Sequence, residues 1–113
     1  MLNFFGPKVP QIDATEVKNA IDAKKKFILL DVRTTGEYTG GKIAGSINVP
    51  LDQVGQKITK TIPDKDATIY IYCLSGARSA SAAQTMVKLG YTNVFNITSG
   101  LLAWRAKGYP LVA

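Results

Sequence analysis

The sequence contains no histidine and a single cysteine, Cys73, among its 113 residues. A chain with one thiol cannot form an internal disulfide, which fits a reducing compartment and leads us to expect a cytoplasmic protein. Without histidine, the commonest metal ligand and the commonest general base are both missing. We therefore expect no metal centre and no cofactor, and any catalysis must run on a cysteine that has no histidine partner.

Long apolar runs are also missing, and no segment of the sequence approaches the length that spans a bilayer. Residues 1–7 are too few and lack the basic start of a secretory signal. The net charge is +6, but the one basic run, residues 24–26, is interpreted as the solvated end of a helix. Because the interleaved aromatics of a nucleic-acid surface are missing, we expect neither a nucleic acid nor a membrane as partner. The positive charge would help to attract a small anion.

The length suits one domain, so we predict that residues 1–113 form a single unit. Apolar runs typical of buried strands alternate with segments of helical periodicity, the first helix being capped by Asp13 and Glu16 and running to about residue 25. This alternation predicts an α/β fold with a parallel sheet covered on both faces. The predicted strands are residues 27–32, 46–49, 67–72 and 94–97, and the other predicted helices are 51–58, 80–89 and 101–107.

Cys73 stands between a predicted strand and a predicted helix. The small residues Ser75, Gly76 and Ala77 allow the loop to curl, so that successive N–H groups can converge on one point. A helix start attracts anions, and Arg78 adds a permanent cation. We interpret Cys73 as a reactive thiolate rather than a buried structural cysteine, which is the alternative. Asp31 lies at the end of a predicted strand and Thr98 just beyond another, so both could share one rim with Cys73.

In several segments of its sequence, the chain resembles the single-domain rhodaneses, which are sulfurtransferases. The resemblance runs from about residue 12 to residue 111, and its segments occur in the family's order at fitting spacings. It implies a three-layer rhodanese-like domain with a five-stranded, mainly parallel sheet and helices on both faces. The matching segments are Asp31-Val32-Arg33 with Glu37-Tyr38, the stretch GKIAGSINVP at 41–50, the loop CLSGARS at 73–79, and Gly100-Leu101-Leu102-Ala103-Trp104 with Gly108-Tyr109-Pro110.

The resemblance also implies a mechanism. The thiolate of Cys73 would attack the outer sulfur of a small anionic donor such as thiosulfate, and a thiol or cyanide would then remove the sulfur from the persulfide. A thioredoxin-like or other sulfur-acceptor protein is a possible partner. Arg78 would be the second catalytic residue, closing the ring of donors around the sulfur. The substrate-binding residues would be Leu74, Ser75, Gly76, Ala77 and Ser79.

Several positions depart from the family pattern. Lys42 stands where the family has histidine, and Ser99 replaces its first glycine. Leu74 follows the cysteine where many thiosulfate-using members carry a basic residue, so thiosulfate is expected to be a poor donor. We interpret the remaining polar residues structurally: Asp31 and Arg33 as a network beneath the loop, Ser79 as a helix-start cap, and Lys42 as a solvated loop residue.

Two alternative functions stay open. Cysteine phosphatases and arsenate reductases have the pattern C-x5-R, whereas only four residues separate Cys73 from Arg78. A loop that is one residue shorter suits a sulfur atom better than a tetrahedral phosphate. The second alternative is a rhodanese-like binding or sulfur-carrier module, which would hand its persulfide to a partner protein.

Overall fold

The computed structural model describes residues 8–113, so the segment 1–7 that was weighed as a secretory signal lies outside the described residues. The described chain forms a five-stranded parallel sheet in the order β1-β5-β4-β2-β3, with helices between the strands. The predicted α/β class is confirmed. The elements are β1 (Gln11–Ile12), α1 (Ala14–Asp22), β2 (Ile28–Asp31), α2 (Thr35–Thr39), β3 (Ile47–Asn48), α3 (Leu51–Thr61), β4 (Ile69–Tyr72), α4 (Ala77–Lys88), β5 (Val94–Ile97) and α5 (Gly100–Ala106).

Strand β4 lies at the centre of the sheet, between β2 and β5. Asp31 at the end of β2 is in register with Tyr72 at the end of β4, and Ile71 is in register with Asn96 of β5. Because the strands are parallel, their carboxyl ends meet at one edge of the sheet, which is where α/β proteins place their sites.

Two apolar cores lie on opposite faces of the sheet because side chains alternate along each strand. Leu30 and Ile71 pack into the core beneath α3 and α4, together with Val54 and Met86. Their strand neighbours Leu29 and Tyr72 face the second core, beneath α1 and α5. Burial of these side chains on both faces is the main favourable contribution to folding, and it produces the three layers. Trp104 is buried in the second core.

Several boundaries differ from the sequence-based expectations, including the end of α3, which lies at Thr61 rather than at residue 58. Helix α1 begins after the predicted cap, where the Asp13 carboxylate accepts from the Glu16 N–H at 2.8 Å, but it ends at Asp22 rather than near residue 25. Lys24 takes a left-handed conformation with φ of 54°, which stops the helix, so the basic run lies beyond it. Helix α4 begins at Ala77, three residues earlier than predicted. Strand β1 was missed because two residues carry no periodic signal.

The helices of residues 8–113 are too short or too polar for a bilayer span.

Candidate active site

The active-site loop, residues 73–76, connects the central strand β4 to α4. Gly76 is the N-cap of α4 and has φ of 110° and ψ of −14°. Glycine adopts this left-handed region readily, whereas a residue with a Cβ atom is strained there. The turn at Gly76 directs the first N–H groups of α4 back toward Cys73, so the loop curls as the small residues predicted.

The sulfur of Cys73 is surrounded by hydrogen-bond donors. The N–H of Gly76 lies 3.1 Å from Sγ, the N–H of Ser79 lies 3.4 Å away, and the Ser79 hydroxyl lies 3.5 Å away. The cysteine residue is only 1% exposed. Donors that are fixed before reaction stabilise a negative charge without reorganisation. The loop is therefore an anion hole aimed at the sulfur atom itself.

The environment of Cys73 favours its thiolate. Burial raises the pKa of the thiol, but hydrogen bonds from the hydroxyl and N–H of Ser79 and from the N–H groups of Gly76 and Ser75 lower it more. The net effect is a pKa below the ordinary cysteine value. Because the thiolate is the nucleophile, this shift increases the reactive fraction at neutral pH.

The hydroxyl of Ser79 is shared between the sulfur and a side chain of β5. Its oxygen lies 2.5 Å from Asn96 Oδ1 and 3.1 Å from the Gly76 carbonyl, besides its contact with Sγ. The expectation that Ser79 caps the helix is wrong, because Gly76 is the N-cap and Ser79 lies in the first turn. Asn96, which is 4% exposed, was not predicted as part of the site. Its signal in the sequence is a polar residue inside an apolar strand.

Arg78 forms an ion pair with Glu37 of α2. The Nη1 and Nη2 atoms of the guanidinium lie 2.7 Å from Oε1 and 3.0 Å from Oε2 of the carboxylate, which is a bidentate geometry. The Arg78 guanidinium lowers the pKa of Glu37 to about 2. Of residues 8–113, Glu37 alone is hydrogen-bonded to this guanidinium. The predicted place of Arg78 in the ring of donors is therefore wrong, because its guanidinium is held by Glu37 and the hydrogen bonds to the sulfur come from Gly76 and Ser79.

Asp31 and Arg33 form a buried network, as predicted. The Arg33 Nη2 lies 2.8 Å from Asp31 Oδ2 and 2.6 Å from the carbonyl of Gly41, and both side chains are almost fully buried. Asp31 thus fixes the loop that follows β2 rather than lining the rim. The hydroxyl of Thr98 donates to the side-chain oxygen of Gln11 at 3.0 Å, so it is directed toward β1.

The start of α5 is docked against the active-site loop. The N–H of Leu101 donates to the Cys73 carbonyl at 2.9 Å, and the N–H of Leu102 donates to the Leu74 carbonyl at 3.0 Å. Gly100 has φ of 46°, and a Cβ atom at this position would overlap the Cys73 carbonyl oxygen. Two of the predicted substrate-binding residues are placed by their backbones. The Leu74 carbonyl accepts a hydrogen bond from α5, and Ala77 is the first residue of α4.

A sequence profile described as Rhodanese-like domain matches residues 13–107. The chain belongs to this family. The rhodanese-like domain is 31% identical over 105 residues to a sulfurtransferase of Allochromatium vinosum, covering 93% of this chain and 96% of that protein. It is 34% identical over 99 residues to the putative sulfur carrier protein YrkF of Bacillus subtilis, covering 88% of this chain but only 52% of that protein.

Solved structures agree with the fold. A crystal structure of a rhodanese-related protein from Thermoplasma volcanium superimposes on the rhodanese-like domain with a TM-score of 0.79 and 33% identity, covering 91% of this chain and 97% of that one. The predicted family and the five-stranded architecture are thereby confirmed.

Lys42, a departure of this rhodanese-like domain from the family pattern, is a half-exposed loop residue whose ammonium has two neighbours. Its ammonium lies 4.6 Å from the centre of the Tyr38 ring and 3.1 Å from the Ala113 carbonyl. Its backbone forms an antiparallel bridge with Val112. Lys42 therefore fastens the last residues to the loop that precedes β3.

Proposed function

We propose that this protein is a sulfurtransferase that carries a sulfane sulfur as a persulfide on Cys73. The observation that supports this most strongly is the convergence of the Gly76 N–H, the Ser79 N–H and the Ser79 hydroxyl on one buried sulfur atom. Such a site stabilises an anionic sulfur and needs no histidine. The sulfurtransferase relative supports the same class of reaction.

In the proposed reaction, the Cys73 thiolate uses its electron pair to form a bond to the outer sulfur of the donor. The bond between that sulfur and the rest of the donor breaks, and its electron pair leaves with the donor, as sulfite when the donor is thiosulfate. A thiol or cyanide then attacks the outer sulfur of the persulfide and releases the Cys73 thiolate. This is covalent catalysis in two displacement steps. The N–H groups of Gly76 and Ser79 would hold the negative charge on sulfur throughout.

The intact mass of the protein tests this proposal. Incubation with thiosulfate or with an organic persulfide should add one sulfur atom, and a thiol or cyanide should then remove it. Cys73→Ser should gain no sulfur, while circular dichroism shows an unchanged fold. If neither donor adds sulfur to the wild type, or if Cys73→Ser still transfers sulfur, the proposal is wrong.

A sulfur-carrier role is the second candidate, and it is favoured by the likeness to a putative sulfur carrier protein. A carrier would load Cys73 and deliver the sulfur to an acceptor protein, such as a thioredoxin-like one, without rapid turnover by small thiols. Steady-state turnover with excess donor and a small thiol distinguishes the two roles. Many turnovers support the enzyme, and loading without turnover supports the carrier.

A further inference from the structure

The charges around Cys73 compensate each other before any donor arrives. Arg78 is the only charged side chain in the segment 73–79, and its guanidinium is held by Glu37 through two hydrogen bonds. Glu37 is ionised at neutral pH because its pKa is lowered to about 2. Beneath the loop, Asp31 and Arg33 form a second ion pair. The segment 73–79 therefore offers an incoming anion its N–H groups, and its one positive side chain is already paired.

This balance discriminates between donors by charge. Thiosulfate brings two negative charges to a site that already holds the thiolate, so three must be accommodated together. An organic persulfide, R–S–SH, carries at most one charge, on the sulfur that is transferred. Like charges at close range are unfavourable, and the N–H groups of Gly76 and Ser79 are already directed at the Cys73 sulfur.

A cavity beside the loop provides room for an organic group. It has a volume of about 380 Å³ and is lined by Val32, Thr34, Pro50, Leu51, Asp52 and Arg78. Its apolar walls come from Val32, just after β2, and from Pro50 and Leu51 at the start of α3, and Arg78 in the first turn of α4 forms the wall nearest the active-site loop in the chain. Mostly apolar cavities bind the carbon skeleton of a ligand, which thiosulfate does not have.

We propose that the donor for this domain is an organic persulfide with an uncharged, largely apolar body, and that Glu37 sets this preference by neutralising Arg78. The inference rests on the proposed function. In the step, the Cys73 thiolate attacks the outer sulfur of R–S–SH and forms a new S–S bond. The original S–S bond breaks, the thiolate R–S⁻ leaves with its electron pair, and the proton stays on the transferred sulfur, so the products are Cys73–S–SH and R–S⁻.

Glu37→Gln is a sharp test because it removes the charge and keeps the shape. Glu37 also closes the capping box of α2, accepting from the Thr34 N–H at 3.1 Å while its own N–H donates to the Thr34 hydroxyl at 3.2 Å. Glutamine serves in this position as well as glutamate does. The variant therefore keeps the helix start and leaves Arg78 without a countercharge.

The matched control is Asp22→Asn, which changes the net charge by the same amount. Asp22 pairs with Lys18 at the end of α1, just before β2 begins, and so lies at the edge of the sheet opposite Cys73. A general effect of protein charge would appear in both variants. A local effect on Arg78 would appear only in Glu37→Gln.

The measured quantity is the ratio of kcat/KM for thiosulfate to kcat/KM for 2-mercaptoethanol persulfide, with sulfur loading followed by intact mass. We expect the wild type to favour the persulfide, and Glu37→Gln to raise the ratio roughly three- to tenfold in favour of thiosulfate, with Asp22→Asn unchanged. A wild type that favours thiosulfate, or a ratio that does not move in Glu37→Gln, overturns this inference and leaves the sulfurtransferase proposal standing. Failure of both donors overturns the proposed function itself.

Discussion

The hydroxyl of Ser79 has one proton and three neighbouring acceptors: the sulfur of Cys73, the side-chain oxygen of Asn96 and the Gly76 carbonyl. When Cys73 is a thiolate, a hydrogen bond from the Ser79 hydroxyl to the sulfur is charge-assisted, which favours donation to the sulfur over donation to Asn96. When Cys73 is protonated or loaded, Asn96 can receive the proton instead. The buried amide of Asn96 thus keeps the hydroxyl satisfied in both states.

Ser79→Ala should make Cys73 a weaker nucleophile. Loss of the hydroxyl removes one of the hydrogen bonds that lower the thiol pKa, so the pKa should rise and the pH profile of Cys73 alkylation should move to higher pH. A hydrogen bond to a charged group contributes about 1.5–3 kcal/mol, and the 3.5 Å distance places this one at the lower end, which corresponds to roughly tenfold slower alkylation at neutral pH.

Ser81→Ala is the control for this prediction, because Ser81 lies on the same helix with an exposed side chain. Its alkylation profile should match that of the wild type. An unchanged profile in Ser79→Ala would mean that the N–H groups alone hold the thiolate.

The sequence predicted the chemistry of the loop better than the contacts of its side chains. The position of Cys73 and the turn at Gly76 follow from local residue types, which sequence patterns record directly. The partners of Arg78 and Ser79 come from α2 and β5, which are 41 and 17 residues away in the chain. Only the folded sheet brings these elements together, so the pairing could not be predicted from spacing.

At the scale of elements, the contact between α5 and the active-site loop leaves no room for a side chain at Gly100. Gly100 must bring its backbone close to the Cys73 carbonyl while keeping a positive φ. The N–H groups of Leu101 and Leu102 then satisfy two loop carbonyls. The start of α5 therefore holds the shape of the loop through the carbonyl groups of Cys73 and Leu74.

Gly100→Ala should destabilise the fold by about 2 kcal/mol or more, because the added Cβ meets backbone that cannot move aside and the left-handed φ is strained. Gly55→Ala is the matched variant, since Gly55 lies within α3 with no atom near its missing Cβ. That change should stabilise the fold by about 0.5–1 kcal/mol. Urea unfolding of both variants and of the wild type measures the two changes in the free energy of unfolding, which should have opposite signs. Equal stabilities would show that α5 can shift without cost.

The strands and helices with strong periodicity were predictable, and the short ones were not. Strand β5 occupies the predicted residues 94–97 because four apolar-rich residues fill a buried position in the sheet. Strand β1 has two residues, and its place depends on pairing with β5 rather than on its own pattern. The end of α1 depends on the left-handed conformation of Lys24. This conformation is unfavourable for lysine, so the residue type does not predict it.

At the scale of the whole molecule, the positive charge and the compensated site act over different ranges. In the proposed reaction, the net charge of +6 would attract an anionic donor from a distance, whereas the Arg78–Glu37 pair would act on it only at close range. Salt screens the first effect over about 10 Å at 0.1 M ionic strength and weakens close pairs less. Encounter and capture of a donor therefore respond differently to salt.

We expect kcat/KM for thiosulfate to fall about two- to fivefold between ~0.01 and ~0.3 M salt, because screening removes the long-range attraction. The value for 2-mercaptoethanol persulfide should change less, since it carries at most one charge. Initial rates of sulfur loading over a series of salt concentrations give the salt dependence of kcat/KM for each donor. Parallel slopes for the two donors would show that the overall charge plays no part in their capture.

The solitary, buried thiol has a consequence for the lifetime of a loaded molecule. Many redox cysteines stand next to a second, resolving cysteine that discharges them into a disulfide. Cys73 has no such neighbour anywhere in the sequence, and it is 1% exposed. A sulfur atom held there cannot escape along the chain, so it waits until an outside acceptor reaches the loop. The persulfide would thus persist until an acceptor arrives, and the rate of that arrival would set the lifetime of the loaded protein.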